Sequence, residues 1–135
     1  ILKIYGLTYY LDEYEKPMKE FLNKISEKNM KFSSNIDNFC DSFIKTAEYI
    51  NKNLRPKPFN VRGPFNTSLF DSVFCNILKN IDRLPQNLPQ LFEDLILDST
   101  FIDYTTSATT DEKILTERFK YVEKYLFKDD IQAEV

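Results

Sequence analysis

The 135-residue sequence is long enough for one folded domain and too short for two of ordinary size. Its 42% hydrophobic and 29% charged residues are typical of a globular protein and exclude a disordered chain. The net charge of −3 provides no overall attraction for nucleic acid or anionic lipid. Because the sequence has no histidine, it excludes from this chain a histidine base, a histidine-ligated zinc and a histidine-dependent nuclease centre.

The fold class and compartment follow from similar observations. With two glycines, the chain is poorly suited to a β-sandwich or barrel, because such folds use glycine in turns and bulges. The longest apolar runs, such as Leu95–Leu97, are far too short to span a membrane. Cys40 and Cys75 each lie in an apolar helical pattern, which predicts two buried, reduced thiols in a cytoplasmic protein. Two cysteines are enough for one disulfide, but nothing in the sequence favours it.

Apolar residues recur at helical spacing through most of the chain. They predict helices over 1–14, from Pro17 to Asn29, from Ser34 to Leu54, from Asn66 to Ile81, after Asn87, between Ser99 and Tyr104, and from Thr109 to about residue 127. We therefore predict an all-α fold, a single bundle of about six helices with a basic Pro/Gly loop in the middle. Residues 1–127 are expected to form a helical subdomain, cut from a longer protein, and residues 128–135 a frayed tail or linker.

The loop between the third and fourth predicted helices has its own composition. Residues 55–65 contain three prolines, one glycine, three basic residues and no acid. The candidate DNA contacts are the basic residues Arg55, Lys57 and Arg62, which could engage phosphates. Phe59 or Phe65 could stack on a base. The alternative is a loop that packs on the bundle, with Phe59, Val61 and Phe65 in the core and the basic side chains in solvent.

Tyrosines are concentrated on the first predicted helix. Tyr5, Tyr9 and Tyr10 lie beside its aliphatic stripe, and tyrosine often marks interfaces because its ring is apolar while its hydroxyl can stay in water. We expect these three residues to form an interface with a missing subdomain; stacking on nucleic acid is the less favoured alternative.

The sequence contains no phosphate-binding glycine loop, no nucleophile elbow and no metal-ligand spacing. We therefore predict no catalytic residue, no metal and no cofactor in this chain, which would not itself be an enzyme. Asp71 and Arg118 are two polar residues set against apolar helix faces. Pairing within the bundle and a role in binding both remain open for them.

Four stretches resemble, in order and spacing, parts of one prokaryotic family. Ile1–Leu7 and Tyr14–Leu22 resemble its entry, LRFxAL followed by YxGxhxxFL, where h is apolar. Phe65–Val73 resembles its FNxxLFDAV helix, and residues 101–119 resemble its closing FIxxT…T…xxRh segment. The family is the GmrSD-type restriction endonuclease amino-terminal domain, also called domain of unknown function two-six-two. The similarity covers about residues 1–127.

Members of that family carry a ParB/sulfiredoxin-like α/β subdomain, with a DGQQR motif for nucleotide, before the helical half. The resemblance implies that this chain is the helical half alone, which supports the nucleotide-binding subdomain and helps to position DNA. For the full-length protein it implies NTP-dependent DNA restriction in anti-phage defence. Lys3 stands where the family usually has Arg, and Pro17 where it usually has Gly.

The expected partners are the missing α/β subdomain, DNA and a second copy of the chain, with no membrane. The alternative function is a stand-alone all-helical protein-interaction module with no catalytic role.

Overall fold

A computed structural model describes residues 1–29 and 33–127 of the chain. The α-helices are α1 (Leu2–Tyr9), α2 (Met18–Asn29), α3 (Ser33–Asn53), α4 (Thr67–Lys79), α5 (Leu88–Leu97), α6 (Ser99–Tyr104) and α7 (Glu112–Leu126), and a 3-10 helix spans Leu11–Glu13. Because the described ranges contain no strand, the predicted all-α class is confirmed. There are seven α-helices in these ranges rather than about six. The predicted tail, 128–135, lies outside the described residues.

The first helix is shorter than its apolar pattern predicts. It ends at Tyr9, because Tyr10 leaves the helical region with φ −128° and ψ 26°. The chain then turns through the 3-10 helix, and the hydroxyl of Tyr14 donates to the carbonyl of Thr110 at 2.7 Å. This long-range hydrogen bond holds Tyr14 in the core, so the segment after Tyr9 serves tertiary packing rather than continuing α1.

Helix α4 lies at the centre of the fold and contacts α1, α3 and α7. Val73 and Ile77 on this helix are fully buried, and polar side chains such as Ser72 and Asn76 are buried too. The Nδ2 of Asn76 donates to the carbonyl of Ser72 at 2.8 Å and to that of Phe119, on α7, at 3.1 Å. Since these buried polar groups have partners, α4 can be covered by neighbouring helices without leaving them unsatisfied.

Gly6 allows α1 and α2 to pack closely. A Cβ at this position would lie 3.1 Å from a ring carbon of Phe21 and 3.6 Å from Ile25. The glycine lowers helix propensity. Because it has no side chain, the ring of Phe21 can approach the backbone of α1.

Among the side chains of α3 from residue 36 onward, only those on one narrow face are buried. Phe39, Thr46 and Ile50 are buried, whereas Ile36 and Ile44 are 40% and 56% exposed. Cys40 is exposed too, so its prediction as a buried thiol is wrong, while that of Cys75 is confirmed. The reason is geometric: α3 packs on α4 and, through Phe39, on Tyr5 of α1, and the apolar stripe of its sequence is wider than the face that these contacts cover.

Candidate nucleic-acid interface

Two of the loop's aromatic side chains occupy different environments. Phe59 is buried in the core, and its ring makes T-shaped contacts with Phe70 at 5.1 Å and Phe92 at 6.1 Å between centroids. Phe65 is 51% exposed, with its ring centroid 5.3 Å from that of Phe70. Phe59 therefore anchors the loop in the core, whereas the half-exposed ring of Phe65 is accessible to a ligand.

The three basic side chains of the loop are all exposed. Arg55 carries an ion pair, its NH1 lying 3.6 Å from Oε2 of Glu93 on α5. Lys57 has φ +48°, in the left-handed region that a side chain other than glycine or asparagine seldom adopts. Gly63, with φ +105°, occupies a conformation that favours glycine. These turns carry the charged side chains outward while Phe59 stays in the core.

The loop is closed by hydrogen bonds at its base. The N–H of Asn66 donates to the carbonyl of Phe59 at 2.8 Å, and the Nδ2 of Asn60 donates to the carbonyl of Gly63 at 3.2 Å. The segment from 59 to 66 is thus a fixed turn structure on which Arg62 is displayed.

The structure places the predicted DNA contacts at two cavities rather than one. Arg62 and Phe65 line a cavity of about 420 Å³ between the loop, the start of α4 and the turn after α6. Arg55 and Lys57 line a second cavity, of about 410 Å³, together with Leu54.

Asn66 joins two walls of the larger cavity. Its Oδ1 accepts from the N–H of Leu69 at 3.0 Å, so the predicted N-cap of α4 is confirmed. Its Nδ2 donates to the carbonyl of Thr105 at 3.3 Å. Three threonines, Thr105, Thr106 and Thr109, line the same cavity on the opposite side.

The turn of residues 105–109, which we call the threonine turn, is held by Arg118, a residue whose role in the site the sequence does not reveal. Arg118 is 1% exposed, and its NH1 donates to the carbonyls of Tyr104 at 3.1 Å and Thr109 at 3.2 Å. Burial lowers the pKa of its guanidinium to about 10, so it remains charged at neutral pH. Among the described residues no carboxylate lies within ion-pair distance of it, and its buried Nε has no hydrogen-bond partner.

The other polar residue singled out from the sequence, Asp71, pairs within the fold. Its Oδ2 lies 2.7 Å from Nζ of Lys3 on α1. Burial raises the pKa of the Asp71 carboxyl, against the opposing effects of Lys3 and Arg118. The charge of Lys3 is thereby directed at a carboxylate of the same chain.

The three tyrosines predicted to form an interface differ in exposure. Tyr5 is buried, with its ring 5.2 Å from that of Phe39 in a T-shaped contact, whereas Tyr9 is 50% exposed. Tyr10 is partly buried, and the ammonium of Lys28 lies 5.5 Å from its ring centroid. The interface remains a prediction, with Tyr9 as its accessible residue.

No three histidine, cysteine, aspartate or glutamate side chains within 1–29 and 33–127 are grouped closely enough to hold a metal ion. In the same part of the chain, no helix combines the length and apolar character needed to cross a membrane. Searches of family models, curated proteins and solved structures found no match to this chain.

Proposed function

We propose that this chain is the helical half of a prokaryotic restriction or anti-phage defence protein that acts in the cytoplasm. It supports a nucleotide-binding α/β subdomain and holds nucleic acid at the loop of residues 55–66. In this proposal the helical half is not itself an enzyme and holds no cofactor, and NTP-dependent DNA restriction belongs to the full-length protein.

The observation that carries the proposal is the loop itself. Three exposed basic side chains, Arg55, Lys57 and Arg62, project from a segment that contains no acid. Phe59 fixes the segment in the core, so little conformational entropy is lost when the loop meets a ligand. Lysine and arginine are the usual partners of nucleic-acid phosphates. The left-handed backbone of Lys57 supports the same view, because strained positions often occur at functional sites.

Further support comes from the contacts made by residues of the stretches that carry the resemblance. Lys3, from the first stretch, pairs with Asp71, from the FNxxLFD-like helix. Arg118, from the closing stretch, is fully buried and donates to the backbone of the threonine turn. Residues that are far apart in sequence thus serve one structural core, as an ordered set of family motifs would require.

The proposal is tested by binding of a labelled duplex at low salt to the 135-residue chain and to its Arg55→Ala/Lys57→Ala/Arg62→Ala variant. We expect the triple variant to lose at least about tenfold in affinity, because three phosphate contacts are removed. A triple variant at exposed basic positions outside the loop, Lys19→Ala/Arg83→Ala/Lys120→Ala, carries the same charge change. Equal losses in both variants would reduce the effect to net charge and contradict a loop-specific contact.

A second candidate function, a protein-interaction module, is favoured by a specific apolar surface. A cavity of about 310 Å³ between α1 and α3 is lined by residues that include Leu2, Ile36 and Cys40. Exposed apolar surface of this kind often marks a protein interface. In this reading the surface receives the missing subdomain or a second copy of the chain.

Analytical ultracentrifugation tests whether this surface receives a second copy of the chain. If it does, we expect concentration-dependent association that Ile36→Glu abolishes. The control is Leu97→Glu, because Leu97 is 76% exposed on α5 and does not line this cavity. A chain that stays monomeric at high concentration, or that responds equally to both substitutions, would contradict self-association through this surface.

A further inference from the structure

We infer that the 420 Å³ cavity beside Arg62 binds one nucleotide whose base is unpaired. The phosphate would lie at the start of α4, and the base would stack on Phe65. The inference rests on the proposed function for its ligand class, nucleic acid. It adds a specific place and a part of the nucleotide for each wall.

The cavity has the size of a ligand site, since its volume lies within the roughly 300–1,000 Å³ of small-molecule sites. Its accessible lining is more polar than apolar, which suits a charged ligand. Leu69, Ile96 and Phe101 provide apolar lining, while Arg62 and the threonine turn provide polar groups.

The phosphate is assigned to the side of Arg62 and the first turn of α4. The first N–H groups of a helix have no intrahelical partner, and those of Thr67 and Ser68 open α4 at the cavity. The guanidinium of Arg62 is exposed at the same cavity and presents a planar fork of donors to phosphate oxygens.

A second, independent feature indicates an anionic ligand. Arg118 is a buried cation whose NH1 donates to the carbonyl of Thr109, a residue of the cavity wall. Its Nε is buried without a partner. The Asp71 carboxylate favours the charged guanidinium from a distance, but no carboxylate in the described part of the chain forms an ion pair with it. Behind the threonine turn there is thus a fixed positive charge that is only partly compensated, and an anion in the cavity would compensate it.

The base is assigned to Phe65 because this ring lines the cavity and is half exposed, whereas Phe59 is in the core. An aromatic ring can receive the face of a base only when that base has left the duplex stack. The hydroxyl of Thr106 donates to the carbonyl of Asp103 and can still accept from the edge of such a base, while that of Thr109 can donate or accept.

The test is a titration of the isotopically labelled chain with thymidine monophosphate, followed by amide NMR, with thymidine and inorganic phosphate as separate probes. We expect shifts concentrated at Thr67, Ser68 and Thr106, and tighter binding of the monophosphate than of either fragment. Arg62→Ala is expected to weaken binding about tenfold, which corresponds to about 1.4 kcal/mol. Arg83→Ala, the same substitution at an exposed position outside the cavity, should leave binding unchanged.

Each outcome decides the inference separately from the proposed function. Shifts elsewhere, equal effects of Arg62→Ala and Arg83→Ala, or no monophosphate binding would overturn the cavity assignment. Binding of inorganic phosphate as tightly as the monophosphate would overturn the role of Phe65. If the cavity assignment fails while loop-dependent duplex binding persists, the proposed function stands without it. If the monophosphate binds in the cavity while no DNA binds to the chain, the site stands and the proposed function fails.

Discussion

The Nζ of Lys3 lies 2.7 Å from the Oδ2 of Asp71, and this ion pair joins α1 to α4 across a sequence separation that no local pattern could bridge. The side chain of Asp71 is 5% exposed and that of Lys3 33% exposed, so the carboxylate has lost its water while the ammonium keeps part of its own. Burial raises the pKa of the Asp71 carboxyl even with the ammonium in contact. The pair therefore fixes the position of α1 on α4. Its attraction does not fully offset the cost of burying the ionised carboxylate.

We expect Asp71→Asn to alter how stability depends on acidic pH. Because the pKa of Asp71 is raised above 3.8 on folding, the folded chain binds this proton more tightly than the unfolded chain. Its contribution to stability is therefore complete at low pH and is lost as pH rises from about 3.8 through the folded-state pKa. Between about pH 3 and pH 6, the melting temperature of the variant should increase relative to that of the unmodified chain as pH rises.

The control for that measurement is Asp103→Asn, which removes one carboxylate from an exposed position on α6. A difference between the Asp71→Asn variant and the unmodified chain that stays constant across the acidic range would contradict the raised pKa.

Asn66 and Asn87 form a matched pair for the capping interaction. Each is the N-cap residue of its helix, yet the side chain of Asn66 accepts from Leu69 while that of Asn87 makes no capping hydrogen bond. We expect Asn66→Ala to lower the free energy of unfolding by about 1 kcal/mol or more, since its bond to the carbonyl of Thr105 is lost as well. Asn87→Ala should stay within about 0.5 kcal/mol of the unmodified chain in urea denaturation. Equal losses would refute the difference in capping.

Replacing Arg118 should loosen the threonine turn. Arg118→Met keeps much of the side-chain volume but leaves the carbonyls of Tyr104 and Thr109 without their donor, so we expect a loss of about 2–3 kcal/mol. Amide hydrogen exchange between residues 105 and 109 should accelerate beyond the change expected from global stability. The control is Lys120→Met, an exposed cation on the same helix. Unchanged exchange in the turn would show that the guanidinium does not hold it.

In the proposed loop contact, Glu93 would compete with a phosphate for Arg55. The two side chains form an ion pair at 3.6 Å, and both are nearly half exposed, so the pair contributes at most about 1 kcal/mol. We expect Glu93→Gln to strengthen duplex binding about two- to fivefold by freeing the guanidinium. Glu123→Gln on α7 makes the same charge change at another exposed position. Fluorescence anisotropy at low salt compares them, and equal gains would indicate only the general change in charge.

How much the sequence predicts depends on whether an interaction is local. The cap at Asn66 and the start of α4 follow from residues three positions apart, and the spacing of apolar residues identifies α4 as a helix buried in the core. The burial of Cys40 was predicted wrongly, because periodicity shows which face is apolar and not how much of it a neighbour covers.

In the candidate site, too, local features can be predicted from the sequence and long-range contacts cannot. The composition of the loop indicates Arg55, Lys57 and Arg62 without any knowledge of the fold, but not that they line two cavities. Arg118 could not have been assigned to the threonine turn, because its partners are backbone carbonyls and carbonyls leave no trace in a sequence.

The salt dependence of duplex binding measures directly whether the loop contacts phosphates. If Arg55, Lys57 and Arg62 each neutralise one phosphate, the slope of log affinity against log salt is about −2.7, from roughly −0.9 per contact. We expect the 135-residue chain to lose this component of the slope in the Arg55→Ala/Lys57→Ala/Arg62→Ala variant, so that the two slopes differ by about 2.7. An identical slope and affinity in protein and variant would contradict a phosphate contact at the loop and leave the loop as a segment that packs on the helices.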